Sequence, residues 1–152
     1  MNTSAELSDL VESVRKWVAG WGAEVAAADI RSGRERFATD LVAFGTHADV
    51  VVGRDAVEAQ QWSQIWPRIE GFEFLVDELV VQASPDGLQA VAIVPWTSVG
   101  IAPDGTPFDR PGRATIVLVR EADDAEWTGT HTHFSLARGV PQSTHGQRRA
   151  IR

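Results

Sequence analysis

Two histidines, His131 and His133, stand one residue apart near the end of the chain and offer the clearest chemistry in the sequence. In a β-strand, residues i and i+2 point to the same face of the sheet, so the two imidazoles would share one wall. Imidazole titrates near neutral pH, and the pair could act as a general base and its helper. The same spacing could also ligate a metal, but a third ligand is then required. Because no spacing selects among His47, Asp49 and Asp77, we predict no metal site.

A structural role for the same residues is the alternative. Trp127, His131, His133 and Ser135 would then form one face of a strand, paired with its neighbours or with a second subunit. Ser135 lacks the Gly-x-Ser-x-Gly turn that presents a nucleophilic serine, so we do not assign it that role. The residues alone leave proton transfer and a structural role open.

Arg113 completes the predicted catalytic set with His131 and His133. A guanidinium can bind a carboxylate through two parallel hydrogen bonds, so Arg113 would hold an anionic group of a substrate. The alternative is an ordinary salt bridge, or a solvated arginine at the end of a strand.

Aromatic side chains are the second group of residues that could form a ligand-binding site. The chain has 6 Trp, 6 Phe and no Tyr. Aromatic rings around a cavity suit a flat apolar ligand, although most such rings in a domain belong to its core. The predicted ligand-binding residues are Trp17, Phe37, Phe44, Trp62, Trp66 and Trp96.

The first half of the chain must position these residues through helices. Apolar residues recur at steps of three and four from the start of the chain, which predicts a helix over about 4–30. Shorter helices are expected over 34–38 and 55–65. The last of these would begin with a capping box, in which Asp55 is the N-cap and Glu58 stands three residues later.

The second half has the pattern of strands. Turn sequences separate apolar runs, which indicates hairpins in series. The expected strands cover 41–44, 50–52, 72–83, 88–101, 113–121 and 126–137. Pro95 inside the longest strand requires a bulge or an edge position. The predicted fold class is therefore α+β, with N-terminal helices packed in the concave face of a curved, mainly antiparallel sheet. Such a cone has a natural ligand cavity at its open end.

Composition excludes several classes of protein. The 152 residues carry 43% hydrophobic and 23% charged side chains, as one globular domain does. We assign that domain to 1–138 and a polar, basic, mobile tail to 139–152. The absence of cysteine rules out disulfides and thiolate metal sites. A net charge of −7 disfavours nucleic-acid binding.

No apolar run reaches the ~20 residues that a membrane span needs. The first residues also lack the basic and apolar regions of a secretory signal. We therefore expect a cytoplasmic protein without a membrane partner. The sequence shows no nucleotide-binding loop, and no cofactor is predicted.

Short motifs in this order resemble the SnoaL-like branch of the nuclear transport factor two-like (cystatin-like) superfamily. The most specific are the Gly-Arg-Ala-Thr sequence at 112–115, Trp127, and the His-Thr-His-Phe-Ser sequence at 131–135. Further matching stretches lie at 37–40, 53–56 and 104–107. The resemblance covers about residues 5–138. The His-x-His-x-Ser ending is also similar to the association domain of calcium/calmodulin-dependent kinase II.

The resemblance implies the cone-shaped fold and a homodimer formed through the sheet. It does not settle the activity, because the superfamily includes isomerases, dehydratases, cyclases, epoxide hydrolases and association modules. Ketosteroid isomerase chemistry uses an Asp base and a Tyr. This chain has no Tyr, and Gly45 stands where the base would be, so we exclude that chemistry.

Two functions follow from these observations. The first is a small-molecule-binding protein with a hydrophobic cavity, extended to a cofactor-independent, His-assisted isomerase, lyase or cyclase acting on a hydrophobic or anionic substrate. The alternative is a non-catalytic homodimeric association or ligand-binding module. The sequence leaves open whether the chain is an enzyme.

Overall fold

Helices precede the long antiparallel strands along the chain, as predicted, and strands at 37–44 and 50–52 separate the first two helices from the last helical stretch. In the computed structural model, which describes residues 3–146, α1 spans Ser4–Ala26 and α2 spans Ile30–Arg34. A continuous helical stretch follows and consists of α3 (Arg54–Val57), a π-helical turn (Glu58–Trp62), α4 (Ser63–Ile65) and a 3-10 turn (Trp66–Arg68). Within the described part of the chain, no helix has both the length and the apolar character to cross a membrane.

The apolar stripe of α1 packs into the sheet and is tied to the last strand by two tryptophans. The indole Nε1 of Trp17 donates to the carbonyl of Trp127 over 3.1 Å. The Nε1 of Trp127 donates in turn to the Ser13 hydroxyl over 2.9 Å. Because both indoles are buried, these bonds hold the helix at a fixed height above the sheet.

The helix predicted over 34–38 is wrong in its position. α2 instead ends at Arg34, and Phe37 opens the first strand. Asp29 caps α2, since its carboxylate accepts from the backbone N–H of Ser32 over 3.1 Å. The Asp side chain satisfies an N–H that has no partner within the helix, and it therefore begins the helix earlier than the periodicity suggests.

The capping box predicted at Asp55 and Glu58 is also wrong. Gly53 is the N-cap of α3, and no side chain caps that helix. Both carboxylates instead bind the guanidinium of Arg34 in α2. The hydrogen bond from Arg34 lowers the pKa of Asp55 below its ordinary value. The acidic pair thus joins two helices instead of capping the start of one.

Eight strands form one mixed sheet in the order β2-β1-β8-β7-β5-β3, with β4 and β6 also paired to β5. They are β1 (Phe37–Phe44), β2 (Val50–Val52), β3 (Glu70–Phe74), β4 (Val80–Ala83), β5 (Gln89–Ile101), β6 (Pro107–Asp109), β7 (Gly112–Val119) and β8 (Thr128–Leu136). The β1–β8 pair is parallel, and the other pairs are antiparallel. The α+β class with a mainly antiparallel sheet is confirmed.

The strand predicted over 72–83 is two strands, because a 3-10 turn at Val76–Glu78 separates β3 from β4. β4 pairs with β5 as far as Ile93, and β3 resumes the pairing at Trp96. Pro95 falls in the gap between them. The strand is therefore locally an edge at Pro95, where the missing N–H leaves no hydrogen bond unmade, as expected for a proline in a long strand.

A β-bulge in β8 reverses the direction of its side chains. The register of β8 against β7 shifts between Gly129 and His131, which leaves Thr130 as an extra residue. Before the bulge, Gly129 faces inward, where a Cβ would meet the Phe37 ring at 2.5 Å. After the bulge, it is Thr132 that is buried in the concave face. Odd-numbered residues thus face inward before the bulge and outward after it.

Part of the predicted tail is bonded to the domain. The hydroxyl of Thr144 is buried, accepts from the Ile101 N–H over 2.9 Å and donates to the Arg68 carbonyl over 2.7 Å. The N–H of His145 donates to the Ile101 carbonyl over 2.7 Å. The remaining tail, 147–152, lies outside the described residues, and the division into domain and tail stays a prediction.

Candidate ligand-binding cavity

A largely apolar cavity lies between the helices and the concave face of the sheet. Its aromatic walls are formed by Trp21, Trp62, Trp66, Phe72, Trp96 and Phe134. Its volume is about 40 Å³. Because an apolar cavity of about 150 Å³ is known to bind benzene, one small ring fits here only if the walls move outward, and a fused ring system does not fit.

The aromatic walls are packed against one another and are therefore well positioned. Trp21 meets Phe134 edge to face with ring centroids 5.5 Å apart, and Trp96 lies 5.4 Å from Phe72. Both distances fall in the range that favours aromatic pairs. Gly112, opposite Trp96 in β7, makes room for the indole, because a Cβ at this position would collide with the ring.

One end of the cavity is polar and contains Arg110. This arginine follows β6, and its backbone is bonded to β5. Its N–H donates to the Ser98 carbonyl over 2.8 Å, and the Ser98 hydroxyl donates to the Arg110 carbonyl over 2.7 Å. The sheet thus fixes the Cα of Arg110, and the side chain runs into the cavity wall with only 1% of its surface exposed.

The guanidinium of Arg110 has few partners. Its Nη2 donates to the Thr46 hydroxyl over 3.1 Å, and its Cζ lies 5.7 Å from the centre of the Trp96 ring. Its Nε has no hydrogen-bond partner within residues 3–146, and no carboxylate of that range forms an ion pair with it. Burial lowers the pKa of Arg110 to about 10, so the group is still charged at neutral pH.

Gln61, in the π-helical turn, arranges the loop that carries Thr46. Its Oε1 accepts from the N–H groups of His47 and Ala48 over 3.0 and 2.8 Å. Its Nε2 then faces the Thr46 hydroxyl, 3.2 Å away. Gly45 lets the loop approach, since a Cβ there would collide with the Gln61 amide. A chain of hydrogen bonds thus runs from Gln61 through Thr46 to Arg110.

The structure brings four of the six predicted ligand-binding residues to the cavity. Trp62, Trp66 and Trp96 supply rings to its walls, whereas Phe44 borders it and packs its ring on the outer face of the sheet. Trp17 and Phe37 do not line it. They are buried behind the wall, where Phe37 packs against Trp21 at 4.8 Å and Trp17 against Trp21 at 5.7 Å.

The three predicted catalytic residues lie on the outer face of the sheet. They are His131, His133 and Arg113, and none of them lines the cavity. The Nδ1 of His131 is 2.7 Å from the Val42 carbonyl in β1, and the Phe44 ring packs edge-on against both imidazoles.

The neighbouring strands β7 and β8 place Arg113 beside Ser135 on the same outer face. Arg113 is paired with Ser135 across β7 and β8, and its Nε donates to the Ser135 hydroxyl over 3.0 Å. The two histidines share one face of the sheet, as expected from their spacing, and Arg113 lies near His133 on that face, which is opposite the cavity. Their catalytic role stays a prediction. Among residues 3–146, no three His, Cys, Asp or Glu side chains are grouped so as to hold a metal ion.

Sequence reasoning missed the polar residues of the cavity: Arg110, Thr46 and Gln61. Arg110 lies in a turn-rich stretch, where an arginine is ordinarily solvated. Gln61 lies in a helix with a regular apolar pattern, and only the π-helical turn directs it to the loop. No local sequence signal identifies either residue.

This arrangement, N-terminal helices in the concave face of a mixed sheet, is the fold shared with solved nuclear transport factor 2-like proteins, one of them described as having a cystatin-like fold. The chain belongs to the SnoaL-like domain family, whose sequence profile matches residues 14–139. No curated protein matches the sequence.

Solved structures share the fold at low sequence identity. A putative scytalone dehydratase from Novosphingobium aromaticivorans has a TM-score of 0.74 at 10% identity, over 98% of this chain and 96% of that one. A putative aromatic ring hydroxylase from Novosphingobium aromaticivorans has 0.69 at 14%, over 88% and 91%. A putative calcium/calmodulin-dependent protein kinase II association domain from Xanthomonas campestris has 0.64 at 20%, over 80% and 83%. These names describe different activities, so the similarity establishes the fold alone.

Proposed function

We propose that the protein binds a small, flat molecule with an apolar body in the cavity. The observation that carries this proposal is the ring of aromatic side chains around an unfilled space at the centre of the fold. Large apolar side chains normally fill a core to high density, so a space lined by them is unusual. Concave, mostly apolar spaces with a few directed polar groups are the usual form of a small-molecule site.

Binding is the better supported activity, and catalysis is secondary. The cavity lining within residues 3–146 contains Arg110, Thr46, Gln61 and Thr132 as polar side chains, and no carboxylate or imidazole. A His-assisted isomerase, lyase or cyclase would have to use His131 or His133 on the outer face. Loss of turnover in both His131→Ala and His133→Ala, with the melting of His133→Ala unchanged, would support that finer proposal.

The test of binding is to fill the cavity. Ala43 lines it and is buried in β1, so Ala43→Leu places three more carbon atoms into the space. Val42→Leu, one residue away on the outer face of the same strand, is the matched control. We expect titrations with benzamide, phenol and benzoate, followed by tryptophan fluorescence and calorimetry, to show binding to the parent chain and to Val42→Leu, and none to Ala43→Leu. Binding that is equal in all three proteins, or absent from the parent chain, would refute the proposal.

A second candidate function, homodimeric association, is supported by the outer face of the sheet. Val80 is 54% exposed there and Ile93 is 38% exposed, beside Arg113, His133 and Ser135. An exposed apolar patch next to polar groups is typical of a contact between subunits. Native mass spectrometry should detect a dimer that Ile93→Glu dissociates. A monomeric parent chain would exclude this role.

A further inference from the structure

We propose that the ligand of the cavity is a monocarboxylate, whose carboxylate group binds between the guanidinium of Arg110 and the hydroxyl of Thr46. This inference rests on the proposed binding function and names the chemical class of the ligand. It assigns the anion-binding role to Arg110 inside the fold. The sequence analysis proposed Arg113 for that role, and the structure places Arg113 on the outer face.

The first step of the argument is the unpaired charge of Arg110. Buried charges in proteins are normally paired, because transfer of an isolated charge out of water is costly. Arg110 is 1% exposed, and no carboxylate among residues 3–146 pairs with it. Every ion pair found in that range uses Arg15, Arg34 or Arg36. Arg110 is therefore a cation whose counter-ion the described chain does not supply.

The second step concerns the hydrogen-bond donors that remain. The Nε–H of Arg110 is buried without a partner. The Thr46 oxygen accepts from Gln61 Nε2 at 3.2 Å and from Arg110 Nη2 at 3.1 Å. A hydroxyl has two acceptor lone pairs, and both are thus in use. The hydroxyl proton of Thr46 is then left to donate, and no acceptor is assigned to it within the described residues. Donors outnumber acceptors at this end of the cavity.

The orientation of the Gln61 amide supports this assignment. Its oxygen accepts from two backbone N–H groups, of His47 and Ala48. The amide nitrogen must therefore be the atom that faces Thr46, and Thr46 must accept this hydrogen bond. The direction of the chain of hydrogen bonds is thus set by the backbone, and it ends in donors at the cavity.

The third step identifies the anion as a carboxylate with one negative charge. Arg110 is the charged side chain of the described lining, so a dianionic phosphate would bring one uncompensated charge into an apolar space. A planar carboxylate matches the guanidinium plane and accepts from two donors at once. The rest of the ligand would lie among the aromatic rings, where Trp96 and Phe134 supply flat apolar surface.

The test compares benzoate with benzamide, which have the same shape and differ in charge. We expect calorimetry at pH 7 to show that the parent chain prefers benzoate by roughly 10- to 100-fold, as hydrogen bonds to charged groups imply. Arg110→Met should abolish this preference, and Thr46→Val should reduce it. Arg113→Met, which removes the exposed arginine on the outer face, is the matched control and should leave the preference unchanged.

The outcomes separate this inference from the proposed function. If benzamide binds as tightly as benzoate, and Arg110→Met changes neither, the cavity binds ligands but the carboxylate assignment is overturned. If Arg113→Met and not Arg110→Met removes the preference, the anion site lies on the outer face, and the inference is again overturned. If neither compound nor phenol binds, both the inference and the proposed function fail. Preference for benzoate that is lost only in the cavity variants supports both.

Discussion

Replacement of Arg110 by methionine should stabilise the protein, although most substitutions of buried residues destabilise. The guanidinium is buried without a counter-ion, and burial lowers its pKa from 12.5 to about 10. A difference of roughly 2.5 corresponds to about 3 kcal/mol of penalty on the charged form, at 1.36 kcal/mol for each pH unit. The variant loses the hydrogen bond to Thr46 and the contact with Trp96, each worth about 1 kcal/mol. The net expectation is a gain of about 1 kcal/mol in the free energy of unfolding.

The measurement is urea denaturation followed by tryptophan fluorescence, with Arg113→Met as the control. That arginine is exposed, and its replacement should change stability by less than about 0.5 kcal/mol. The pKa of Arg110 is lower in the folded state than in the unfolded chain, so its penalty is full at every pH below about 10. The gain in the free energy of unfolding of Arg110→Met over the parent chain should therefore be constant from pH 6 to 9 and shrink as the pH rises through 10.

Two results would refute the reasoning. Destabilisation by more than about 1 kcal/mol would mean that Arg110 has good partners in the folded protein and contributes to its stability. An advantage of Arg110→Met that does not shrink at high pH would mean that the charge of the guanidinium is not its cause. Benzoate should also reduce the difference in the free energy of unfolding between the parent chain and Arg110→Met. A ligand that binds only the folded state of the parent chain stabilises that protein by mass action.

Three further predictions concern other residues. Gln61→Leu removes the acceptor of two loop N–H groups, and it should lower the free energy of unfolding by about 2–3 kcal/mol and weaken benzoate binding. The control Gln64→Leu removes only a solvent-exposed hydrogen bond to the Ala59 carbonyl and should do neither. His131→Ala removes the contact with the Val42 carbonyl and should lower the free energy of unfolding, measured by chemical denaturation, by about 1 kcal/mol. His133 is exposed, so His133→Ala should leave it unchanged, and equal effects of the two variants would contradict this prediction. Gly112→Ala should cost about 1–3 kcal/mol, because the new Cβ collides with the indole beneath it, and unchanged thermal melting would show that the ring can move.

The architecture could be predicted because its signals are local. The apolar period of α1 and the turn sequences between the long strands depend on neighbouring residues, and both are confirmed. The helix at 55–65 is confirmed as one continuous helical stretch, whereas its capping box and the helix at 34–38 were wrongly predicted, since tertiary contacts decide them. Arg34 binds the two carboxylates that would otherwise cap a helix. A long-range ion pair of this kind leaves no local pattern in the sequence.

The facing of the histidines could not be predicted, because one residue decides it. Trp127 and Gly129 lie inward, and strict alternation would have placed His131 and His133 inward as well. The bulge at Thr130 turns both imidazoles to the outer face. A glycine inside a strand is a known sign of a bulge, but it does not say where the extra residue falls.

The polar end of the cavity could not be predicted, because its parts are remote in sequence. Arg110 is held by Ser98 in β5 and meets Thr46 from the loop after β1. Gln61 reaches the same loop from the π-helical turn. Each residue taken alone has the sequence context of a surface side chain. Only the closing of the helices over the sheet makes the arginine a buried cation.

The most direct measurement is a crystal structure of the protein grown with benzoate. We expect the ring among the indoles of the cavity, and the carboxylate within hydrogen-bond distance of both Arg110 and Thr46. A cavity that holds only water while benzoate stabilises the protein, or benzoate bound at Arg113 on the outer face, would contradict the assignment of this cavity as the ligand site.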